Sequence, residues 1–315
     1  MSQTEKTSPV NGWVNLNKPY RLRSTSAVTR VRHIFNARKA GHAGTLDPLA
    51  TGVLPVALGE ATKTISFLME APKTYEFEMR WGKSTQTQDA EGEVVATSDR
   101  RPTYDELADI LPKFTGEIYQ IPPIYSAVKL DGQRAYDLAR AGKEVVLKPR
   151  RAMIHGLEIL STETDTARLR VDCGKGTYVR ALARDIASEL GAEAYVSALK
   201  RTRVGPFYLE DAFSLDALED LRHKRRVAEA LLPFTTALAD IPVLDVDTFE
   251  RCDLLTGRTV VLHPDIFASL RSAFRPRQIN GKDGSRLVLA KCEGQAVGLC
   301  EARAGRLRPI RMYKL

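Results

Sequence analysis

Apolar residues recur at helical spacing in two stretches of the chain. Residues 24–40 carry valine, isoleucine and phenylalanine three and four positions apart, after hydroxyl residues that are typical helix caps. Residues 177–190 repeat the pattern, place Arg180 in their first turn and precede Gly191, a typical helix-ending residue. A Thr-x-x-Glu capping box opens residues 103–114. The pattern therefore predicts two long helices and a shorter third one.

Other stretches alternate between apolar and polar residues, the period of a half-buried strand. Residues 74–81 place Tyr75 and every second residue after it on one face, and residues 167–173 alternate in the same way. Further strands are expected at residues 118–129, 153–160, 286–292, 296–302 and 306–312. We predict an α+β fold with a mixed, mainly antiparallel sheet.

The 315 residues exceed what one small core usually fills, which favours two domains. The sequence Ile241-Pro242 precedes a run of short strands separated by glycine turns. We therefore place a boundary near residue 240, with a larger domain over residues 1–240 and a small β-rich module over residues 241–315.

The charge balance points to a polyanionic partner. The chain has 47 Lys and Arg against 39 Asp and Glu, a formal charge of +8, and no acidic residue lies between Glu5 and Asp47. Such a basic stretch can follow a phosphate backbone, although a solvated basic surface explains it equally well.

Several classes of protein are excluded by composition. The four cysteines form no C-x-x-C pair and the five histidines lie at no metal-ligand spacing, so we expect neither a disulfide framework nor a metal site. No apolar leader opens the chain and no run approaches the roughly 18 apolar residues of a membrane span. We expect a cytoplasmic protein with no membrane contact.

The most concentrated candidate chemistry lies in residues 41–52, which hold three glycines around one carboxylate, Asp47. Glycines let a backbone approach a ligand closely, so Asp47 is a candidate reactive group. An aspartate before Pro48 is also typical of a helix start, and such a position would itself favour an ionised carboxylate. His42 is a candidate base, with packing or hydrogen bonding as the alternative.

Residues 41–63 read GHAGTLDPLATGVLPVALGEATK. This run closely resembles the central motif of the tRNA pseudouridine-55 synthases of TruB type. Further motifs keep the family's order over about residues 12–215: KP at 18–19, KTY at 73–75, TQTQDAEG at 85–92, PPIYSAVK at 122–129, KGTYVR at 175–180 and LKRT at 199–202. Several independent motifs in one order make the resemblance specific.

The resemblance implies a tRNA isomerase that needs no metal, nucleotide or redox cofactor. The uridine N1–C1′ bond breaks, the uracil turns while bound, and its C5 joins C1′. By position, Asp47 is the essential carboxylate, Arg180 holds it and keeps it ionised, and Asp89 positions that arginine. Without the resemblance, Arg180 reads as a surface helix arginine and Asp89 as a loop carboxylate.

The resemblance also implies how the RNA is held. Tyr75 is catalytic in this scheme: it stacks on the extruded uracil and helps to remove the C5 proton. Tyr178 and Leu199 contact the uracil and close the pocket, and His42 helps to fill the space that the flipped nucleotide leaves. Each of these side chains could equally be a packing residue. Expected phosphate contacts are Arg30, Arg32, Arg38, Lys39, Lys200, Arg201 and Arg203. The implied partner is the T arm of tRNA, bound by a monomer with no protein partner.

The chain departs from the family's pattern in one loop. Family members usually have a glycine soon after Lys-Pro, whereas this chain reads Tyr20-Arg21-Leu22-Arg23. Gln88 before Asp89 is also less usual. The conformation of the first loop is therefore left open by the resemblance.

Three other functions fit parts of the sequence. A glycoside hydrolase could use Asp47 and Asp89 as paired carboxylates, and would release free uracil or sugar. A noncatalytic RNA-binding or assembly protein would need only the basic charge. A related synthase could act on another RNA or use a guide RNA.

Overall fold

The computed structural model describes residues 10–314 except 127, 131 and 143. The described helices are α1 Ser24–Ile34, α2 Ile65–Glu70, α3 Tyr104–Ile110, α4 Ala135–Arg140, α5 Val179–Glu189, α6 Leu215–His223, α7 Thr248–Leu255 and α8 Pro264–Ala273. Short 3₁₀ helices occur at Gly59–Thr64, Leu111–Phe114, Val227–Ala230 and Phe234–Leu238.

The described strands fall into one large sheet, one smaller sheet and three short hairpins. They are β1 Gly12–Lys18, β2 Ala40–His42, β3 Thr51–Leu58, β4 Lys73–Trp81, β5 Lys83–Thr85, β6 Val94–Thr97, β7 Gly116–Gln120, β8 Lys129–Leu130, β9 Gln133–Arg134, β10 Arg150–Thr162, β11 Thr166–Cys173, β12 Ala194–Val204, β13 Phe207–Tyr208, β14 Val243–Asp245, β15 Val260–Val261, β16 Gln278–Ile279, β17 Lys282–Asp283, β18 Leu287–Cys292, β19 Gln295–Arg303 and β20 Arg306–Met312.

The large sheet has the strand order β1-β3-β12-β4-β11-β10-β7, with β2 beside β3 and β13 beside β12. Its neighbours are antiparallel except for β3 and β12, which run parallel and pair Lys200 with Thr51 and Arg201 with Gly52. The predicted α+β fold with a mainly antiparallel sheet is confirmed. The parallel pair matters because it places the motif at residues 41–63 beside the motif at residues 199–202 within the sheet.

Both faces of the sheet are covered. On one face, α1, α5 and α6 pack over apolar residues of the central strands, such as Phe77 and Leu169. On the other, Trp13 packs on Phe207 with ring centroids 5.7 Å apart and donates its indole N–H to the carbonyl oxygen of Phe234. Strand β3 contributes alternate residues to the two cores, so its sequence is a continuous apolar run that forms a rigid support.

The residues after 242 form a second sheet with the order β14-β18-β19-β20-β15. It is β-rich as predicted, and α7 and α8, which the pattern analysis missed, cover part of it. Leu289, Leu299 and Tyr313 of this part join the core that contains Trp13. The boundary near residue 240 stays a prediction.

Two predicted elements end earlier than expected. The helix predicted over residues 24–40 ends at Ile34, because Asn36 adopts a φ of +49°, which a helix cannot continue. The strand predicted over residues 118–129 ends at Gln120, because the two prolines at 122–123 supply no backbone N–H for a ladder. The capping box at Thr103 is present, and Pro112 starts a 3₁₀ turn instead of continuing the helix.

Within the described part of the chain, no helix is long and apolar enough to cross a bilayer.

Candidate functional site

Asp47 lies in the loop between β2 and β3. No helix follows it; residue 47 forms a short turn in which the Ala50 N–H donates to its carbonyl oxygen at 3.1 Å, and β3 begins at Thr51. The helix-start interpretation of Asp47-Pro48 is therefore wrong. The loop is clamped by the buried Ser24 hydroxyl, which donates to the Leu46 carbonyl oxygen at 2.8 Å and accepts the Leu46 N–H at 2.9 Å.

Arg180 reaches this loop from the first turn of α5. Its Nη2 lies 2.9 Å from Asp47 Oδ2, and the arginine side chain is 6% exposed while that of Asp47 is 37% exposed. A buried guanidinium thus holds a carboxylate whose other side remains open to a ligand. Charge-assisted pairs of this kind are short and directional.

Both terminal nitrogens of Arg180 make further contacts within the protein. Nη1 donates to the Thr87 carbonyl oxygen at 2.8 Å and Nη2 to the Tyr125 carbonyl oxygen at 2.9 Å. Asp89, 4% exposed, places Oδ2 3.4 Å from Nη1. The side chain is therefore fixed from several sides, and Asp47 and Asp89 share one cation.

Asp89 is itself held by its own loop. Its Oδ1 accepts the Thr87 hydroxyl and the Glu91 N–H, the latter at 3.0 Å. Because Asp89 is buried and its oxygens are engaged within the protein, it is not placed to act on a sugar. This removes the second acid that a glycoside hydrolase with paired carboxylates requires.

Lys18 lies beneath the Asp47 loop with no exposed surface. Its ammonium donates to the carbonyl oxygens of Pro19 at 2.9 Å, Leu22 at 2.8 Å and Pro48 at 3.4 Å. Burial lowers the pKa of Lys18 to about 8, and the nearby charge of Asp47 partly opposes that shift. The side chain ties the Lys-Pro loop to the residue that follows Asp47.

Arg201 supports the other side of the loop. It is 1% exposed, and its guanidinium donates to the carbonyl oxygens of Val53 at 2.8 Å and Gly44 at 3.0 Å. The expectation that Arg201 contacts phosphate is wrong, because its charge is buried in this scaffold. Gly52, at a φ of +97°, meets the Arg201 backbone so closely that a Cβ would collide with it, which explains the glycine in the motif.

Tyr75 lies in β4 beside Arg201, whose Cζ is 5.9 Å from the centre of its ring. Burial raises the pKa of the Tyr75 phenol, and the charge of Arg201 partly offsets the rise. The phenol therefore stays neutral near pH 7. A neutral, half-buried ring is suited to stacking more than to proton abstraction.

Tyr178 immediately precedes α5 and is anchored through its backbone. Buried Gln120 accepts the Tyr178 N–H at 3.1 Å and donates to its carbonyl oxygen at 3.4 Å. Burial raises the pKa of the Tyr178 phenol. Gln120 fixes the start of the helix that carries Arg180, a role the sequence did not reveal.

His42 and Leu199 lie in strands β2 and β12, both of which pair with β3. His42, in β2, has a buried Nδ1 with no hydrogen-bond partner among the described residues, and burial lowers its pKa with the charge of Arg201 adding to the effect. Leu199, 8% exposed in β12, pairs in register with Phe77. The structure thus brings Asp47, Asp89 and Arg180 into direct contact, with the other predicted site residues on the surrounding elements.

The other expected phosphate contacts differ in exposure. Arg30, Arg38, Lys39 and Lys200 are exposed, whereas Arg32 and Arg203 are half-buried. Lys39 has Glu60 3.5 Å away, and Arg203 lies over the Tyr208 ring, 5.0 Å from its centre. Arg30, Arg38 and Lys200 form no ion pair among the described residues and are available to an anionic surface.

The sequence analysis passed over Glu91, an exposed residue of the quoted motif at 85–92 whose backbone N–H donates to Asp89 Oδ1 at 3.0 Å. Burial and the neighbouring charges of Asp89 and Asp47 raise the pKa of its carboxyl. Its position two residues after Asp89 could have predicted that it lies near the site.

Comparison with known proteins gives the family. The profile of the TruB family pseudouridylate synthase N-terminal domain matches residues 32–179, and that of the tRNA pseudouridylate synthase B C-terminal domain matches residues 180–239. The tRNA pseudouridine synthase B of Caulobacter sp. (strain K31) is 52% identical over 316 residues, covering 100% of both chains. This chain belongs to the TruB family. It is therefore a pseudouridylate synthase, an RNA-binding isomerase of tRNA processing.

A second TruB relative and one solved structure are also similar to this chain. The tRNA pseudouridine synthase B of Caulobacter vibrioides is 50% identical over 316 residues, again covering 100% of each chain. The archaeal Nop10-Cbf5 complex of the box H/ACA sRNP matches with a TM-score of 0.66 at 24% identity, over 96% of this chain and 86% of that one. The latter likeness shows a shared fold.

Proposed function

We propose that this chain converts uridine 55 in the T loop of tRNA to pseudouridine, with the target nucleotide flipped out of its stack and Asp47 as the essential carboxylate. The observation that carries the proposal is the pair of a 6% exposed Arg180 and a 37% exposed Asp47, joined at 2.9 Å. Such a pair balances the charge of the carboxylate while leaving one face of it accessible.

The reaction is an isomerisation with balanced atoms. The N1–C1′ bond of uridine breaks, the uracil turns within the site, and a C5–C1′ bond forms. The proton at C5 leaves and N1 gains one, so water, an oxidant and a reductant are not consumed. The protein must therefore supply a carboxylate, a surface for the ring and a path for one proton.

Asp47 acts by one of three routes: attack on C1′, attack on the uracil ring, or removal of a sugar proton. Each needs an ionised carboxylate at the uridine. Arg180 orients that carboxylate, while Asp89 and the carbonyl oxygens of Thr87 and Tyr125 fix the arginine. Arg180 is a positioning residue in this scheme, and Asp47 is the catalytic one.

A flipped uracil needs a slot with apolar walls. Tyr75 offers a ring face, with the Arg201 guanidinium 5.9 Å from its centre, and Tyr178 and Leu199 lie on the adjoining helix start and strand. His42 contributes to the space that the nucleotide vacates. Extrusion costs a few kcal/mol, which base stacking and phosphate contacts must offset.

The binding partner in this proposal is the T arm of tRNA, met by the chain as a monomer in the cytoplasm and without a protein partner. The exposed cations of α1 and β12 supply charge for the phosphates. Recognition of a folded loop with one splayed base is the usual mode of sequence reading in RNA.

The test compares Asp47→Asn with Asp165→Asn. Asp165 also pairs with an arginine, Arg101 at 2.7 Å, but on the surface, so it controls for the loss of an ion-paired aspartate. We expect Asp47→Asn to abolish pseudouridine formation and to retain tRNA binding, because many cations serve affinity and one carboxylate serves chemistry. Asp165→Asn should resemble the parent protein. Substantial turnover by Asp47→Asn, or release of free uracil by the parent, would overturn the proposal.

A further inference from the structure

Arg21 adopts a backbone conformation that costs energy. Its φ is +62°, in the left-handed region that glycine enters freely and other residues enter at a penalty. The conformation is fixed to the site, because the Arg21 N–H donates to the Pro48 carbonyl oxygen at 2.8 Å. A strained residue is therefore hydrogen-bonded to the neighbour of Asp47.

The side chain of Arg21 is presented to solvent beside that site. It is exposed, and its Cζ lies 5.3 Å from the ring centre of Tyr20, which is itself 51% exposed. Among the described residues, no carboxylate oxygen lies within ion-pair distance of its guanidinium. An unpaired cation supported by an aromatic ring thus stands at the rim of the Asp47 loop.

Backbone strain that is retained beside a candidate site indicates a functional role for the strained residue. A glycine would adopt the same conformation without the penalty, and the hydrogen bond to Pro48 uses only the backbone N–H of residue 21. Arg225 provides the comparison: it has a φ of +59° and is exposed after α6, but it has no bond to the Asp47 loop. Of these two arginines, Arg21 alone is anchored beside the candidate carboxylate.

We propose that Arg21 is a phosphate-binding residue, which grips the RNA backbone next to the uridine that enters the Asp47 site. This inference rests on the proposed function, because it takes the ligand to be tRNA. A flipped nucleotide carries its flanking phosphates to the rim of the pocket. A guanidinium there forms charge-assisted, forked hydrogen bonds to phosphate oxygens.

Three variants separate the cation from the backbone conformation. Arg21→Ala removes the cation and keeps the strain, Arg21→Gly removes both, and Arg225→Gly removes a strained exposed cation elsewhere. The measurements are the Kd for a T-arm stem-loop as a function of salt, the single-turnover rate at saturating RNA, and the melting temperature.

Both Arg21 variants should bind the stem-loop about fivefold to tenfold more weakly at moderate salt. Their log–log salt slope should fall by about 0.7–0.9, the value of one phosphate contact. The saturated rate should stay near that of the parent. Arg21→Gly should melt above Arg21→Ala, and Arg225→Gly should keep the parent's Kd and salt slope.

Two results would overturn the inference. One is parental binding by Arg21→Gly, which would implicate loop conformation if Arg21→Ala alone is weakened, and the other is an equal loss in Arg225→Gly. Absence of pseudouridine formation by the parent is a different result. It would refute the proposed function, while the binding series, which needs no turnover, would still report on Arg21.

Discussion

Replacing Arg180 with lysine keeps a positive charge at the site and removes its planar fork. The guanidinium spans two sides at once: Nη2 meets Asp47 at 2.9 Å and the Tyr125 carbonyl oxygen at 2.9 Å, while Nη1 meets the Thr87 carbonyl oxygen at 2.8 Å and Asp89 at 3.4 Å. A lysine ammonium is a single point that reaches one of these sides. Two of the four contacts are therefore lost.

The expected cost follows from those contacts. A hydrogen bond to a charged group contributes about 1.5–3 kcal/mol, so two lost at the low end amount to about 3 kcal/mol. If that stabilisation is expressed at the transition state, the rate falls roughly 100-fold, since 1.36 kcal/mol is a factor of ten. We expect the loss in the single-turnover rate at saturating tRNA.

The assay is release of tritium from uridine labelled at C5, because the C5 proton leaves during the reaction. Arg184→Lys is the matched control: Arg184 lies one turn further along α5, is 31% exposed, and donates to Asp185 and to the Ile121 carbonyl oxygen. It should retain the parental rate. A near-parental rate for Arg180→Lys, with both variants folded by thermal melting, would show that local charge suffices.

Three further predictions concern stability and recognition. Gly52→Ala should lower the free energy of unfolding in urea by about 3 kcal/mol, because of the left-handed φ and the collision with the Arg201 backbone. Gly257→Ala, at a φ of +85° with open space around it, should lower it by about 1 kcal/mol, and equal losses would contradict the packing argument. Burial lowers the pKa of Lys18 and of Lys73 from the ordinary lysine value of 10.5 to about 8, so the unfolded chain binds more protons than the folded one between these two pH values, and the free energy of unfolding should rise across this window. Urea unfolding at about pH 7.5 and about pH 9.5 should show a smaller rise in Lys73→Met than in the parent, and an identical rise would refute the assignment. A T-arm stem-loop should be modified without the anticodon arm. A folded truncation lacking residues 241–315 should lose affinity more than saturated rate, because every candidate catalytic residue precedes residue 241; complete loss of the saturated rate would contradict this prediction.

The strands of the large sheet could be predicted where one face alternates. Residues 74–81 and 167–173 show the period of two, and β4 and β11 cover them. Strand β3 could not be assigned in this way, because both of its faces are buried and its sequence is a continuous apolar run.

The conformation of the Asp47 loop depends on contacts from residues distant in sequence. Local rules favour a helix start at Asp47-Pro48, but the Ser24 hydroxyl and the Lys18 ammonium hold the loop from another segment. Ser24 itself reads as a helix cap, and the structure uses it as a clamp. Tertiary bonds of this kind leave no periodic trace in the sequence.

The sequence pattern also did not indicate that the charged side chain of Arg201 is buried. Arg201 is one of two basic residues in the LKRT motif, yet the parallel pairing of β3 and β12 places it inside the scaffold of the loop. Lys200, its neighbour, points to solvent. The alternation of a strand assigns the two residues to opposite faces, but only the sheet order tells which face is buried.

The most direct test of the central claim is a map of pseudouridine at nucleotide resolution. Unmodified tRNA is incubated with the parent protein, Asp47→Asn and Asp165→Asn, and each uridine is then scored. We predict pseudouridine at uridine 55 with the parent and Asp165→Asn, and none with Asp47→Asn. Modification at a different uridine, an unmodified position 55 with the folded parent, or pseudouridine formed by Asp47→Asn would contradict the account.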